Sequence, residues 1–95
     1  NKFFPGVNIE NVSYGLTMCA ERNAIFNAIS NGIKKEDINY LIVVSDCTNN
    51  LIPCGACLQV LSEFINENTQ ILICSNNNIK EYKLLDFLPY IFKKV

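Results

Sequence analysis

Two six-residue runs, "YLIVVS" at 40–45 and "QILICS" at 70–75, constrain this chain more than any other feature. Both are nearly continuous in aliphatic and β-branched side chains, the pattern of strands buried on both faces. Between them lies "PCGACLQVLSEF", where Leu58, Leu61, Phe64 and Ile65 recur at helical spacing and "NENT" closes the helix. Pro53 is preset for the helix start. Two buried strands joined through a helix form a parallel crossover, because a tight turn can join only antiparallel neighbours.

The flanks extend the pattern. "KFFPGVNIEN" carries a Pro5-Gly6 turn signal and then the alternating pair Val7 and Ile9, which predicts a strand ending near Glu10. Thr17 is the expected N-cap of a helix whose face is Ala20, Ala24, Ile25, Ala28 and Ile29, stopped at Ser30 to Gly32. After the second apolar run, "NNN" reads as a turn and "EYKLL" as a short edge strand. "LDFLPYIF" reads as a helical turn broken at Pro89. The alternation of strands and helices predicts an α/β sheet.

With 95 residues there is room for one core, so residues 1–95 are read as a single domain. The formal net charge is -1, and the lysines stand beside acids, as Lys34 and Lys35 do before Glu36 and Asp37. That leaves no basic stripe for a nucleic-acid backbone. No apolar run approaches the roughly 20 residues of a membrane span, and nothing resembles a signal peptide. The five cysteines are an odd count, which argues against a closed disulfide framework and for a reducing, cytoplasmic compartment. Cys47 and Cys74 follow the apolar runs and read as inert, partly buried thiols.

The other three cysteines carry the chemistry. "PCGAC" sets Cys54 and Cys57 three residues apart at a helix start, a spacing that redox pairs, zinc half-sites and chance all produce. "TMCAER" sets Cys19 two residues ahead of Glu21 at another helix start. A structural zinc site takes four protein ligands, and this chain has no histidine to supply one. Three thiolates with one open position are the arrangement of a catalytic zinc. Helix N-termini stabilise thiolates through their unpaired N–H groups and dipole. Arg22 reads either as a donor to a ligand sulfur or as a plain surface helix residue.

"CAER" followed, after a gap of about thirty residues, by "PCGAC" resembles the cysteine form of the zinc nucleobase and nucleoside deaminase signature. "GVNIENVSYGLTMCAER", "PCGACLQVLSEF" and "DFLPYIF" are similar to segments of the small homotetrameric cytidine deaminases. The resemblance implies a three-layer α-β-α sandwich, with a mixed sheet and with helices carrying the zinc ligands. It also implies a helix and a strand ahead of the point where this chain begins, so the domain is expected to be N-terminally incomplete. Leu58 stands where that family commonly has arginine, a departure expected to alter subunit contacts.

The same resemblance implies the chemistry. One Zn²⁺ per chain is held by Cys19, Cys54 and Cys57, and Glu21 shuttles the protons as water adds to C4 of cytosine and ammonia leaves. Asn8 and Glu10, on one face of the first strand, are implied to bind the ribose hydroxyls, and backbone groups of Ala20 to read the cytosine edge. Tyr14 and Phe92 match aromatic positions near the pyrimidine, Phe92 from a neighbouring subunit. The implied function is deamination of cytidine or deoxycytidine in pyrimidine salvage, by a homotetramer with shared active sites. The alternatives are a blasticidin-S-type deaminase on the same scaffold, a noncatalytic zinc-bound remnant domain, and a C-x-x-C thiol oxidoreductase.

Overall fold

The structure, a computed structural model, describes residues 2–45 and 52–92. Helix α1 spans Ala20–Ser30, strand β1 Tyr40–Ser45 and helix α2 Gly55–Phe64. Strands β2 (Gln70–Ser75) and β3 (Asn78–Tyr82) and the short helix α3 (Leu84–Phe87) follow. The sheet order is β1-β2-β3. β1 and β2 run parallel from Tyr40↔Gln70 to Ser45↔Ser75, with α2 as the crossover. β3 returns antiparallel, from Ser75↔Asn78 to Ile71↔Tyr82. The hairpin between them turns on Asn76 and Asn77, at φ 44° and 66°. A two-residue turn that matches strand twist needs left-handed backbone at both positions, and asparagine tolerates it.

One face of the sheet carries the core. Leu41, Ile71 and Ile73 point the same way and pack with Ile25 of α1, Leu58 and Leu61 of α2, Ile65, and Leu84 of α3. Leu61 and Ile71 are fully buried. Leu58, the departure noted above, is a core residue here. Thr69 is the buried polar residue; its hydroxyl donates to the Ile38 carbonyl at 2.7 Å and accepts from the Asn66 N–H at 3.2 Å. That pair of bonds ties the end of α2 to the entry of β1.

Four local expectations change. β1 is buried on one face only: Tyr40, Ile42 and Val44 are 58%, 50% and 76% exposed. All three helices cover the opposite face, and among the described residues no further layer lies over this one. The predicted first strand is extended, but among the described residues it joins no sheet and its one bridge is Ile9↔Met18. Its polar groups are taken elsewhere: the Pro5 and Val7 carbonyls accept from asparagine side chains of α1. Thr17 is not the N-cap, a position held by Cys19. The Thr17 hydroxyl instead accepts from the Asn11 N–H at 3.2 Å and closes the loop ahead of the helix. Pro53 likewise falls one residue short of the N-cap, Cys54.

One-sided burial is measurable. Leu61→Ala should cost about 2–5 kcal/mol, and Val44→Thr about 0.5 kcal/mol or less, in urea unfolding. Comparable losses at both positions would show that the Val44 face is covered in solution.

Candidate metal centre

Both helices begin on a cysteine. At the start of α2, Cys54 is the N-cap, with extended backbone at φ -67° and ψ 159°. Its Sγ accepts the N–H of Cys57 at 3.3 Å, the bond that a serine or aspartate cap would ordinarily accept. Cys57 sits one turn into the helix, on the same side as Cys54, and its Sγ lies 3.0 Å away. At the start of α1, Cys19 is also an N-cap, but its sulfur caps nothing. That sulfur points across to Cys54, 3.7 Å away. All three sulfurs lie within 4.8 Å of one another, the cluster among the described residues able to hold a metal ion.

Burial and hydrogen bonds among the three thiols set the electrostatics of the cluster. Burial pushes the Cys57 thiol far up, and its hydrogen bonds with Cys54 and Cys19 add to the rise. Burial also raises Cys54, but its hydrogen bonds with the Cys57 thiol and N–H, then with Cys19, outweigh it and leave Cys54 below the ordinary thiol value. The two thiols of this pair are thus pushed in opposite directions. Arg22 stands one turn into α1 with Nη2 3.6 Å from Cys19 Sγ. Its hydrogen bonds to Cys19 and then Cys57 raise its own pKa. Of the two readings of Arg22, donor to a ligand sulfur is the one its geometry supports.

The donor set fits zinc. Tetrahedral Zn–S bonds of about 2.3 Å put sulfurs about 3.8 Å apart, close to the Cys19–Cys54 separation. The tighter Cys54–Cys57 pair is an S–H···S contact whose proton a metal would displace. Soft thiolates select zinc over hard, oxygen-seeking cations, and three of them leave a fourth position free. Glu21 is the second residue of α1, half-buried and outside the ligating group.

The remaining predicted residues divide. Asn8 reaches the site region: its Oδ1 accepts the Ala20 N–H at 2.6 Å, so this orphan donor of α1 is engaged by a side chain. Glu10 is exposed. Tyr14, on a 3₁₀ turn at Tyr14–Leu16, is 88% exposed. Phe92 is 80% exposed, with its carbonyl held by Gln59 Nε2 at 3.2 Å. Cys74 is a half-buried free thiol, whereas Cys47 lies outside the described residues. Sequence reasoning missed Asn23 and Asn27, whose amides hold the segment bearing Asn8. Their signal was there to find, since asparagine is a poor helix former and recurs at 23, 27 and 31.

Comparison with known proteins agrees with this geometry. Residues 1–75 match the family model described as the cytidine and deoxycytidylate deaminase zinc-binding region. The chain is 42% identical over 88 residues to a cytidine deaminase of Halalkalibacterium halodurans, covering 92% of this chain and 65% of that protein. It is 39% identical over 92 residues to one of Sporosarcina psychrophila, covering 96% of this chain and 66% of that protein. The chain thus spans just under two thirds of the length of these relatives. Among solved structures, a cytidine deaminase from Burkholderia pseudomallei superposes with a TM-score of 0.90 at 34% identity, covering 97% of this chain and 73% of that one. The mixed sheet and the helices carrying the zinc-binding thiols agree with the predicted fold class, and among the described residues those helices lie on one face of the sheet.

Metal analysis checks the centre directly. Cys19→Ala, Cys54→Ala and Cys57→Ala should each lose bound zinc, and Cys74→Ser should keep it. Arg22→Gln should retain the site but weaken zinc affinity roughly tenfold, as loss of a group bonded to a ligand does.

Proposed function

The chain belongs to the family of cytidine and deoxycytidylate deaminases, and we propose that it catalyses hydrolytic deamination of cytidine and deoxycytidine to uridine and deoxyuridine. The observation that carries this reading is the triangle of thiols at two helix starts, with a carboxylate in the first turn of one of them. Cys19, Cys54 and Cys57 hold the metal. Zinc, when bound, supplies the Lewis acidity that makes water a competent nucleophile near neutral pH.

Glu21 does the proton work. As a carboxylate outside the ligand set it is free to take a proton from the attacking water. It then delivers that proton to N3 of the ring as C4 becomes tetrahedral, and assists the departure of ammonia. The anchoring of Cys19 fixes the start of α1, and Glu21 is carried with it. Three thiolates on a divalent cation leave one net negative charge, which opposes ionisation of the water. Arg22 and the two helix N-termini offset that charge.

Asn8 and Glu10 bind the ribose hydroxyls. Two residues apart on an extended segment, they share one side of it. The Asn8 bond to the Ala20 N–H sets the sugar contacts one hydrogen bond from the base contacts, a spacing suited to a nucleoside. Tyr14 and Phe92 flank the pyrimidine, Phe92 from a neighbouring copy. Both rings are exposed and so available to a neighbouring copy. The functional unit is a cytoplasmic homotetramer with shared sites, acting on free nucleosides in pyrimidine salvage. No helix among the described residues is long and apolar enough to cross a membrane.

Cytidine added to the zinc-loaded protein should lose its cytosine absorbance and release ammonia. Glu21→Gln should lower kcat by roughly 10²–10⁴ while zinc stays bound. Wild-type turnover in that variant would remove Glu21 from the mechanism, and inert wild-type protein with zinc in place would refute the deaminase reading itself.

A further inference from the structure

The segment that carries Asn8 and Glu10 lies along α1, and side chains of that helix hold it. Asn23 Nδ2 donates to the Val7 carbonyl at 2.7 Å, and Asn27 Nδ2 donates to the Pro5 carbonyl at 3.1 Å. The two lattices match: four helical residues rise about 6 Å, and two extended residues span about 6.7 Å. Asparagines four apart on the helix therefore meet carbonyls two apart on the segment, running in opposite directions. Asn31, at the end of α1, donates to Asn27 Oδ1 at 3.1 Å and so turns the Asn27 amide nitrogen toward Pro5. Gly6 lies between the two anchor points, where a Cβ would strike the Ala24 nitrogen and the Ala20 carbonyl. The segment rests directly on the helix backbone.

From this contact pattern we propose that Asn23 and Asn27 are positioning residues that set the sugar selectivity of the site. They clasp residues 5–7 onto α1, and the clasp aims Asn8 at the helix start shared by Cys19 and Glu21. Neither asparagine touches substrate. Each acts through the backbone that presents Asn8 and Glu10. The proposal rests on the deaminase reading, because the groups it positions are the ribose-binding pair of that reading.

The physical expectation is selective. Loosening the clasp leaves the thiols, Glu21 and Arg22 on their own helices, so zinc binding and the chemical step are preserved. What is lost is the alignment of Asn8 and Glu10 with the sugar. A substrate without ribose hydroxyls has nothing to lose from that misalignment.

The test is Asn23→Ala/Asn27→Ala in the zinc-loaded protein, assayed with cytidine and with 2′,3′-dideoxycytidine. KM for cytidine should rise about tenfold with kcat within about twofold, while both constants for the dideoxy compound stay unchanged. Asn27→Gln, which keeps the amide donor, should restore part of the cytidine KM in the Asn23-intact background. An equal change with both substrates, or no change with either, would overturn the proposal. Amide hydrogen exchange at Ala20 supplies a readout free of turnover: it should accelerate in the double variant, and an unchanged rate would refute the clasp. Inert wild-type protein defeats the deaminase reading and the sugar role together, and the exchange rate still decides whether the clasp exists.

Discussion

The parallel pairing of β1 with β2 is the constraint from which the site follows. Parallel neighbours cannot be joined by a turn, so the chain must cross back through α2 over one face of the sheet. The start of α2 then lies beyond the end of β1, and the packing of Leu58 and Leu61 on Leu41, Ile71 and Ile73 keeps it there. α1 packs into the same core through Ile25, which brings its start beside that of α2. Cys19 and Cys54 are 35 residues apart in the chain and 3.7 Å apart in space for this reason.

That convergence crowds three thiols into one corner. Of the three thiols Cys57 is the buried one, and burial pushes it well above the ordinary thiol value because a thiolate there would lose its hydration. The protein moderates the cost with groups already at hand. Two helix starts contribute unpaired N–H groups, one of which Cys54 accepts directly, and Arg22 faces Cys19. Metal binding replaces shared protons with a charge that all three sulfurs face at once. The same arrangement leaves one coordination position and one nearby carboxylate, Glu21, uncommitted.

The ligands were legible because their chemistry is written in spacing. A C-x-x-C at a helix start places both sulfurs on one turn whatever the rest of the fold does, and "TMCAER" places Cys19 and Glu21 at the mouth of a second helix. The strands were legible from their apolar runs, but their surroundings were not. Hydrophobicity predicted two buried faces for β1, whereas Tyr40, Ile42 and Val44 are open among the described residues, since burial depends on what packs above a strand. The first extended segment showed the alternation of a strand and became a strip pinned to α1. Pairing partners decide that outcome, and here the partners are asparagine side chains.

Order along the chain is enough to set residue chemistry at short range: three thiols without histidine, a carboxylate beside one of them, two strand-forming runs and the helices between. Helical and extended periodicities fix such relations within a few residues, independent of the global fold. Packing set what spacing could not: how closely the three thiols approach, which N–H Asn8 engages, and that a row of asparagines on the helix holds the segment bearing Asn8. Those contacts join residues a dozen to some thirty-five positions apart, and their geometry exists only once the sheet and its helices have packed into one core.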